Sequence, residues 1–438
     1  MERVGKIQSG RKELPLKLTL IFLLLIILAF GWFYRYTNES FLQFQKQTQQ
    51  IVQFYYIWGG FIVFYLLYRF VLMLLYKPIP PSSDFRPSIS IVIPAYNEGK
   101  TVKRAIISAI QADYYEGMKE VFCIDDGSTD DTWSYIEEVQ KQYPGQFVAI
   151  KTPQNKGKRH ALAIGFRRAI GEIVVTLDSD SEIMPDSLYH LVAPFKQPNV
   201  GATTGKIKVT NRDTNFLTRM VSVRYTMAFD FFRATWSTFG TVFCCSGVLS
   251  AYRRSLLMEI LPDFENQTFL GERCTYGDDR ALTNLVLKKG LNTLYTKNAV
   301  VQTLVPENVK KLFKMITRWN KSFIRESVVL AGFIFTRYRE KNRLLPIIDY
   351  TMLIIMVPIQ FLLVMKSIAF VIYAPLTLLP FLTTIATMGL VYMLFYIKLE
   401  RNLDFIYGVF YSIFFTLILI WALPYAALTM KDGSWLTR

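Results

Sequence analysis

The chain has 438 residues, 52% of them hydrophobic, and a formal charge of +16. That length suggests two or three structural units, and a basic surplus on a chain with long apolar runs points to anionic lipid and an anionic ligand rather than nucleic acid. Two histidines, His160 and His190, exclude a histidine-rich metal centre, and the spacing of Cys123, Cys244, Cys245 and Cys274 fits no zinc site.

Leu18–Tyr34 and Gln47–Tyr68 contain no charged residue. Each is long enough to cross a hydrocarbon core, which takes roughly 20 apolar residues. Trp32, Phe33, Tyr34 and Arg35 close the first run where a signal peptide would carry small residues, so residues 1–77 are expected to form a membrane hairpin. Arg3, Lys6, Arg11, Lys12 and Lys17 precede the first span, whereas the loop has only Arg35 and Lys46 against Glu39. This asymmetry predicts a cytoplasmic N-terminus and a cytoplasmic domain after the second span. Disulfides are not expected there. "KPIPPSSDFRP" (77–87) reads as an extended spacer.

Residues 85–305 read as a water-soluble domain. "SISIVIPAYNE" (88–98) predicts a buried parallel strand feeding a loop, and Val102, Ala105, Ile106 and Ala109 then follow helical spacing. "KEVFCIDDGSTDDT" repeats the pattern, with Ser128 as the expected N-cap. Residues 147–151 predict a third strand, "GKRHALAIGFRRAIG" a helix closed by Gly171, and "EIVVTL" a further strand. Such alternation predicts an open, mostly parallel α/β sheet that binds ligands at the carboxyl ends of its strands. Asn97 and Glu98, Asp125 and Asp126, and Asp178 and Asp180 all fall at such ends.

Asp178-Ser179-Asp180 suits a hard divalent ion, Mg²⁺ or Mn²⁺, that keeps places for phosphate oxygens; an isolated acidic turn is the plainer alternative. "NKGKRHA" (155–161) sets Lys156, Lys158 and Arg159 around a glycine, suited to a diphosphate. Asp278 and Asp279 open a predicted helix, where one carboxylate can cap the helix or serve as a general base. Residues 215–239 and 307–335 read as amphipathic helices of the membrane interface, with core helices of the soluble domain as the alternative. In the second, Arg318 offers a phosphate contact and Trp319 a face for a sugar ring or a lipid.

The motifs "VIPAYNE", "IDDGSTD", "NKGKRHA", "TLDSD", "CSGVLSAYRR", "NQTFLG", "GDDRALTN", "RWNKSFIRES" and "WLTR" occur in family order over about 90–438. In this the chain resembles the membrane-integrated processive family 2 glycosyltransferases, most of all the bacterial hyaluronan synthases. The resemblance implies a GT-A-type cytoplasmic domain, an α-helical transmembrane domain with interfacial helices, UDP-sugar donors, a growing polysaccharide and membrane lipids as partners, and no obligate protein partner. It implies that Tyr96, Glu98, Asp126, Lys158 and Arg159 hold the donor, with Asp178 and especially Asp180 serving the metal. Asp279 would be the base, Cys245, Ser246 and Gly247 the acceptor-priming loop, Arg318 and Trp319 the completion of the site. Trp435, Thr437 and Arg438 would form a gating tail (431–438). The chain departs from the family pattern at Met315, Leu436 and Val248, where glutamine, glycine and proline are usual. A chitin or poly-N-acetylglucosamine synthase is the alternative on the same scaffold, and a transporter or scaffold with a degenerate sugar-binding domain the distant one.

After the interfacial segment 306–340, apolar stretches fall at 346–365, 367–397 and 403–430. A tail that reaches the active site needs an even number of crossings. The stretch 403–430, with Pro424 inside it, is therefore expected to enter the membrane, bend at that proline and return.

Overall fold

The computed structural model describes residues 2–37, 42, 46 and 49–432. An eight-stranded sheet forms the centre. Its order is β3 (Val148–Lys151), β2 (Lys119–Asp125), β1 (Ile89–Ala95), β4 (Ile173–Leu177), β7 (Leu249–Arg253), β6 (Val200–Val209), β10 (Asn292–Thr303) and β5 (Ser181–Ile183). The first four strands are parallel, β7 runs against both its neighbours, and β6 and β10 are again parallel. A small hairpin, β8 (Thr268–Phe269) and β9 (Glu272–Arg273), stands apart. Every residue of β1 and β4 is buried, as expected of mainly apolar strands covered on both faces, with Ser90 and Thr176 the polar exceptions. In register, Ala95 lies beside Asp125, so the tips of β1 and β2 are level.

Two helices open the chain, α1 (Glu2–Thr37) and α2 (Gln49–Leu75). Helices α3 (Thr101–Gln111), α4 (Thr132–Gln142), α5 (Lys158–Arg168) and α6 (Ser187–Val192) connect the strands. Helix α7 (Phe216–Thr226) passes through a π-helical turn (Met227–Arg233) into α8 (Ala234–Thr238). Then come α9 (Arg254–Glu265), α10 (Asp278–Lys288) and α11 (Val309–Ile334). The chain continues through α12 (Leu344–Tyr373), α13 (Leu378–Glu400), α14 (Phe405–Leu417) and α15 (Ala422–Leu428). Helix α7 touches β6 on one side and α14 on the other, and α11 lies against α10, α12 and α15. The two amphipathic segments thus join the sheet domain to the apolar helices.

Among the described residues four helices are long and apolar enough to cross a membrane: Leu14–Arg35, Gln53–Leu75, Leu344–Tyr373 and Leu378–Glu400. The second runs beyond Tyr68 because Arg69 is neutralised inside the protein. Its Nη2 pairs with Asp349, whose other oxygen accepts from Tyr65 at 2.8 Å. The boundary expected near Lys366 lies instead at Ala374–Thr377, since Pro375 forces Ala374 into extended backbone (φ −133°, ψ 87°).

The 403–430 stretch is bent by 49° between Phe405–Leu417 and Leu419–Leu428. The break falls at Ile418, not at Pro424, which occupies the first turn of α15, where the missing N–H costs little. Asp404, before the bend, pairs with Arg212 at 2.6 Å. After it, Met430 O accepts from Tyr276 Oη at 3.1 Å and Asp432 O from Lys321 Nζ at 2.9 Å. Both ends of the bent pair therefore rest on the sheet domain and its α11 extension.

Two local expectations need correction. Helix α4 begins after Asp131, because the Asp130 side chain accepts Thr132 N–H at 3.0 Å and delays the first turn. Ser128 instead donates its N–H to Asp125 at 3.1 Å and accepts from Asn97 N–H. Helix α5 ends at Arg168, capped by Ala169, and Gly171 serves β4 by donating to Ser90 Oγ at 2.8 Å.

Candidate functional site

Parallel register brings the loops after β1, β2 and β4 side by side at one sheet edge. Glu98 accepts from Ser179 Oγ at 2.8 Å, which joins the first loop to the Asp178–Asp180 turn. Asp126 is buried and accepts the N–H groups of Lys156 (3.2 Å) and Gly157 (2.7 Å). Burial pushes its carboxyl up, and those two amides act against that shift. Asp126 thereby fixes the turn that launches α5 with Lys158 at its first position.

Lys158 Nζ pairs with Asp178 Oδ1. Burial alone would lower this ammonium, but Asp178, Asp278 and Asp279 outweigh it and hold it above its usual value. A Cβ placed on Gly247 would lie 3.3 Å from Lys158 Nζ, 3.6 Å from Asp178 Oδ1 and 3.9 Å from Asp279 Cβ. Four segments distant in sequence thus meet around Gly247. Arg318, on α11, is drawn down by burial and held up by the charges of Asp279, Asp178 and Asp278.

The Cys244–Gly247 loop is fastened from behind. Cys245 N–H donates to Thr283 Oγ1 at 2.9 Å, and Ser246 N–H to Thr204 Oγ1 at 3.0 Å. Cys244 Sγ donates to Asp279 Oδ2 at 3.3 Å, and burial with the adjacent carboxylate pushes that thiol up to about 12. Asp279 stands in the first turn of α10, behind Gly277 in the left-handed conformation (φ 75°).

Arg159 turns away from the cluster. It is buried against Asp278 (2.9 Å), Phe264 O and Gln267, and so braces the start of α10. Trp319 packs at 6.2 Å from the Tyr225 ring and beneath the Arg224 guanidinium, 5.2 Å from the ring centroid. Tyr96 sits half-buried after β1. Trp435, Thr437 and Arg438 lie outside the described residues. The described chain leads toward them from Asp432, held by Lys321 three residues past Arg318.

Asp178 and Asp180 fit a hard divalent cation. Burial, then the charge of Asp178, raises the Asp180 carboxyl even with Lys158 paired to Asp178, and a cation beside it would favour its charged form. Among the described residues no cluster of three or more His, Cys, Asp or Glu side chains forms a full cage. The remaining ligands would be diphosphate oxygens, as Mg²⁺ and Mn²⁺ sites in nucleotide enzymes commonly use.

Sequence reasoning missed Arg233, Tyr276, Lys321, Arg325 and Glu326. Arg325 donates to Tyr276 O and to Glu326 (2.8 Å), and Glu326 also accepts from Asn284 at 2.9 Å. This buried network locks α11 to the start of α10. Arg318, Lys321 and Arg325 fall on one helical face, a spacing visible in "RWNKSFIRE". Arg233, which donates to Cys244 O at 3.2 Å, is presented by a π-helical turn that no spacing signals.

The family model for glycosyl transferase family 2 matches residues 90–261. An N-acetylglucosaminyltransferase of Azorhizobium caulinodans is 31% identical over 358 residues, 80% of this chain and 87% of that protein. A hyaluronan synthase of Streptococcus pyogenes is 37% identical over 278 residues, 62% of this chain and 65% of that protein, just under two thirds of its length. A mannosyltransferase of Pyrobaculum calidifontis, solved with GDP-Man and Mn²⁺, superposes with a TM-score of 0.56 at 21% identity. That likeness covers 86% of this chain and 98% of the other, and concerns the fold, a GT-A-type sheet.

Proposed function

The chain belongs to glycosyltransferase family 2, and from that premise we propose that it is a processive, inverting membrane enzyme. It joins glucuronate and N-acetylglucosamine from UDP-sugars into hyaluronan and passes the polymer through its own membrane region. The observation that carries the reading is the meeting of Lys158, Asp178 and Asp279 around Gly247 at the carboxyl edge of the sheet, within reach of the Arg318 charge. A cation suited to a diphosphate and a carboxylate suited to an acceptor hydroxyl both lie against a residue without a side chain.

When a donor binds, Lys158 exchanges Asp178 for a phosphate oxygen, and Arg318 takes up charge from the same group. Mg²⁺ or Mn²⁺ held by Asp178 and Asp180 would supply further positive charge to the departing diphosphate. Asp279 removes the proton of the acceptor hydroxyl, whose oxygen attacks the sugar C1 from the face opposite UDP. One displacement converts an α-linked donor into a β-linked product. Cys245, Ser246 and Gly247 line the acceptor approach and Trp319 offers its ring to the terminal sugar. Tyr96, Glu98 and the Asp126-anchored turn border the nucleotide. In this reading the catalytic domain faces the cytoplasm, where UDP-sugars are made.

A second reading, polymerisation of N-acetylglucosamine alone, is favoured by the greater coverage of the Azorhizobium relative. Incubating the purified full chain with UDP-glucuronate and UDP-N-acetylglucosamine, singly and together, separates the two. Polymer only with both donors supports hyaluronan, and polymer from UDP-N-acetylglucosamine alone supports the second reading.

A further inference from the structure

Arg224 lies on α7, one turn before the π-helical segment, and is half-buried. Its guanidinium stacks on Trp319, 5.2 Å from the ring centroid, and Trp319 follows Arg318 of the catalytic cluster. Arg69, Arg159 and Arg325 are neutralised by Asp349, Asp278 and Glu326, whereas Arg233 donates to the backbone carbonyls of Ala228 and Cys244. Arg224 forms no ion pair with any described residue. The Tyr225 ring packs 6.2 Å from Trp319, Tyr392 of α13 packs on Phe231 and Phe232 of the following π-helical turn, and α14, which carries Tyr411, lies against α7. The Tyr411 hydroxyl is buried without a hydrogen-bond partner.

A planar cation stacked on an indole, with tyrosines on the adjoining helices and no carboxylate partner among the described residues, is a poor structural element and a good receptor. Stacking orients the guanidinium so that its edge is offered in a fixed plane. Tyrosine rings and hydroxyls suit the faces and rims of sugar rings. The diphosphate is already served by Lys158 and Arg318 on the donor side. Arg224 stacks on Trp319 from α7, which packs against α14, and in the proposed function the product passes through that membrane region.

We propose that Arg224 is a specificity-determining residue of the acceptor path, forking to the carboxylate of a uronate ring just beyond the Trp319 platform. The inference rests on the glycosyltransferase reading and deepens it, because it assigns the product chain to the acidic polysaccharides. A neutral N-acetylglucosamine polymer has nothing for this guanidinium to hold. A polymer alternating uronate and amino sugar presents a carboxylate at every second ring and returns one to Arg224 after each pair of additions.

The test compares two oligosaccharides on the full chain in lipid nanodiscs. One is a tetrasaccharide alternating glucuronate and N-acetylglucosamine; the other is chitotetraose, of equal length and no charge. Wild type is expected to bind the acidic one at least about tenfold more tightly, the range of a charge-assisted fork. Arg224→Gln is expected to lose that preference while its affinity for UDP stays within about twofold, and Arg224→Lys to keep part of it. A preference that survives in Arg224→Gln overturns the assignment. So does a loss of UDP affinity as large as the loss of acidic-oligosaccharide affinity, which would make Arg224 a fold or donor-side residue. Wild type that forms no uronate polymer from both UDP-sugars overturns the underlying hyaluronan reading instead.

Discussion

Cys244 Sγ donates to Oδ2 of Asp279 at 3.3 Å while the N–H of Arg280 donates to Oδ1 at 2.8 Å. Both carboxylate oxygens of the proposed base are thereby oriented, one by the priming loop and one by its own helix. Asp279→Asn is expected to bind UDP normally and to lose transfer by at least about 100-fold, since only proton removal is lost. Calorimetry with UDP beside radiolabelled-sugar incorporation decides it. A parallel fall in both would make Asp279 a donor ligand. Cys244→Ala should lower kcat by roughly tenfold, and Cys244→Ser should restore most of it.

Burial first, and the charge of Asp178 second, disfavour ionised Asp180. The folded-state pKa of Asp180 is raised, so the native state holds its proton to higher pH than the unfolded chain does. By linkage, its contribution to metal-free stability is lost as pH rises from the unfolded carboxylate range through the raised value. Asp180→Asn is therefore expected to raise the Tm of chelator-treated protein at neutral pH, and to abolish the extra stabilisation that Mn²⁺ gives wild type together with its activity. A lower Tm without metal, or an intact Mn²⁺ response, would count against the pair as a cation site.

Gly277 has φ +75°, and a Cβ there would lie 2.2 Å from Ser322 Oγ and 2.8 Å from Arg325 Nη2. Gly277→Ala must strain the backbone and push α11 from α10, at about 1–3 kcal/mol. Because Asp279 and Arg318 ride on those two helices, activity should fall more than the loss of folded protein explains. Thermal unfolding and specific activity of the folded fraction measure the two separately.

Asp349 joins the membrane helices to the catalytic domain, since its carboxylate accepts from Tyr65, Arg69 and Trp236. Asp349→Ala leaves the Arg69 guanidinium uncompensated in an apolar setting and should cost about 3–5 kcal/mol. Arg69→Met combined with Asp349→Leu should be markedly less damaging than either charge removal alone. Detergent-resistance melting curves of the three variants test this, and a double variant worse than both singles would contradict it.

Asp404 contacts Arg212 of the sheet domain, and Asp432 contacts Lys321 of α11. We expect the bent pair between them to enter the membrane and return. A cysteine at Lys431, in a chain lacking the four native cysteines, should react with an impermeant thiol reagent only after inner-face access is given. Labelling in intact cells would show a single crossing and remove the gating role expected of Arg438.

The sequence showed the chemistry-bearing residues because they sit where local rules are audible. A run such as "EIVVTLDSD" ends a buried strand in two acids, and helical spacing marked Val102 to Ala109 and the face of α11. It showed the apolar spans for the same reason, since each is a property of contiguous residues. It misplaced their edges at Arg69 and Pro375. At Arg69 the deciding partner, Asp349, is 280 residues away.

By itself, then, the sequence determined the strand–helix alternation, the acidic strand tips, the apolar stretches and the basic turn before α5. Tertiary structure alone decided that Arg159 faces Asp278 and not the cluster, that Cys244 reaches Asp279, and that Arg224 stacks on Trp319 with no carboxylate partner among the described residues. The reason is one of range. Propensity, hydropathy and capping act over a few residues, so they can be read along the chain. The direction of a buried guanidinium or thiol depends on which distant carboxylate, carbonyl or ring closes its desolvation cost, and only the packed fold supplies that partner.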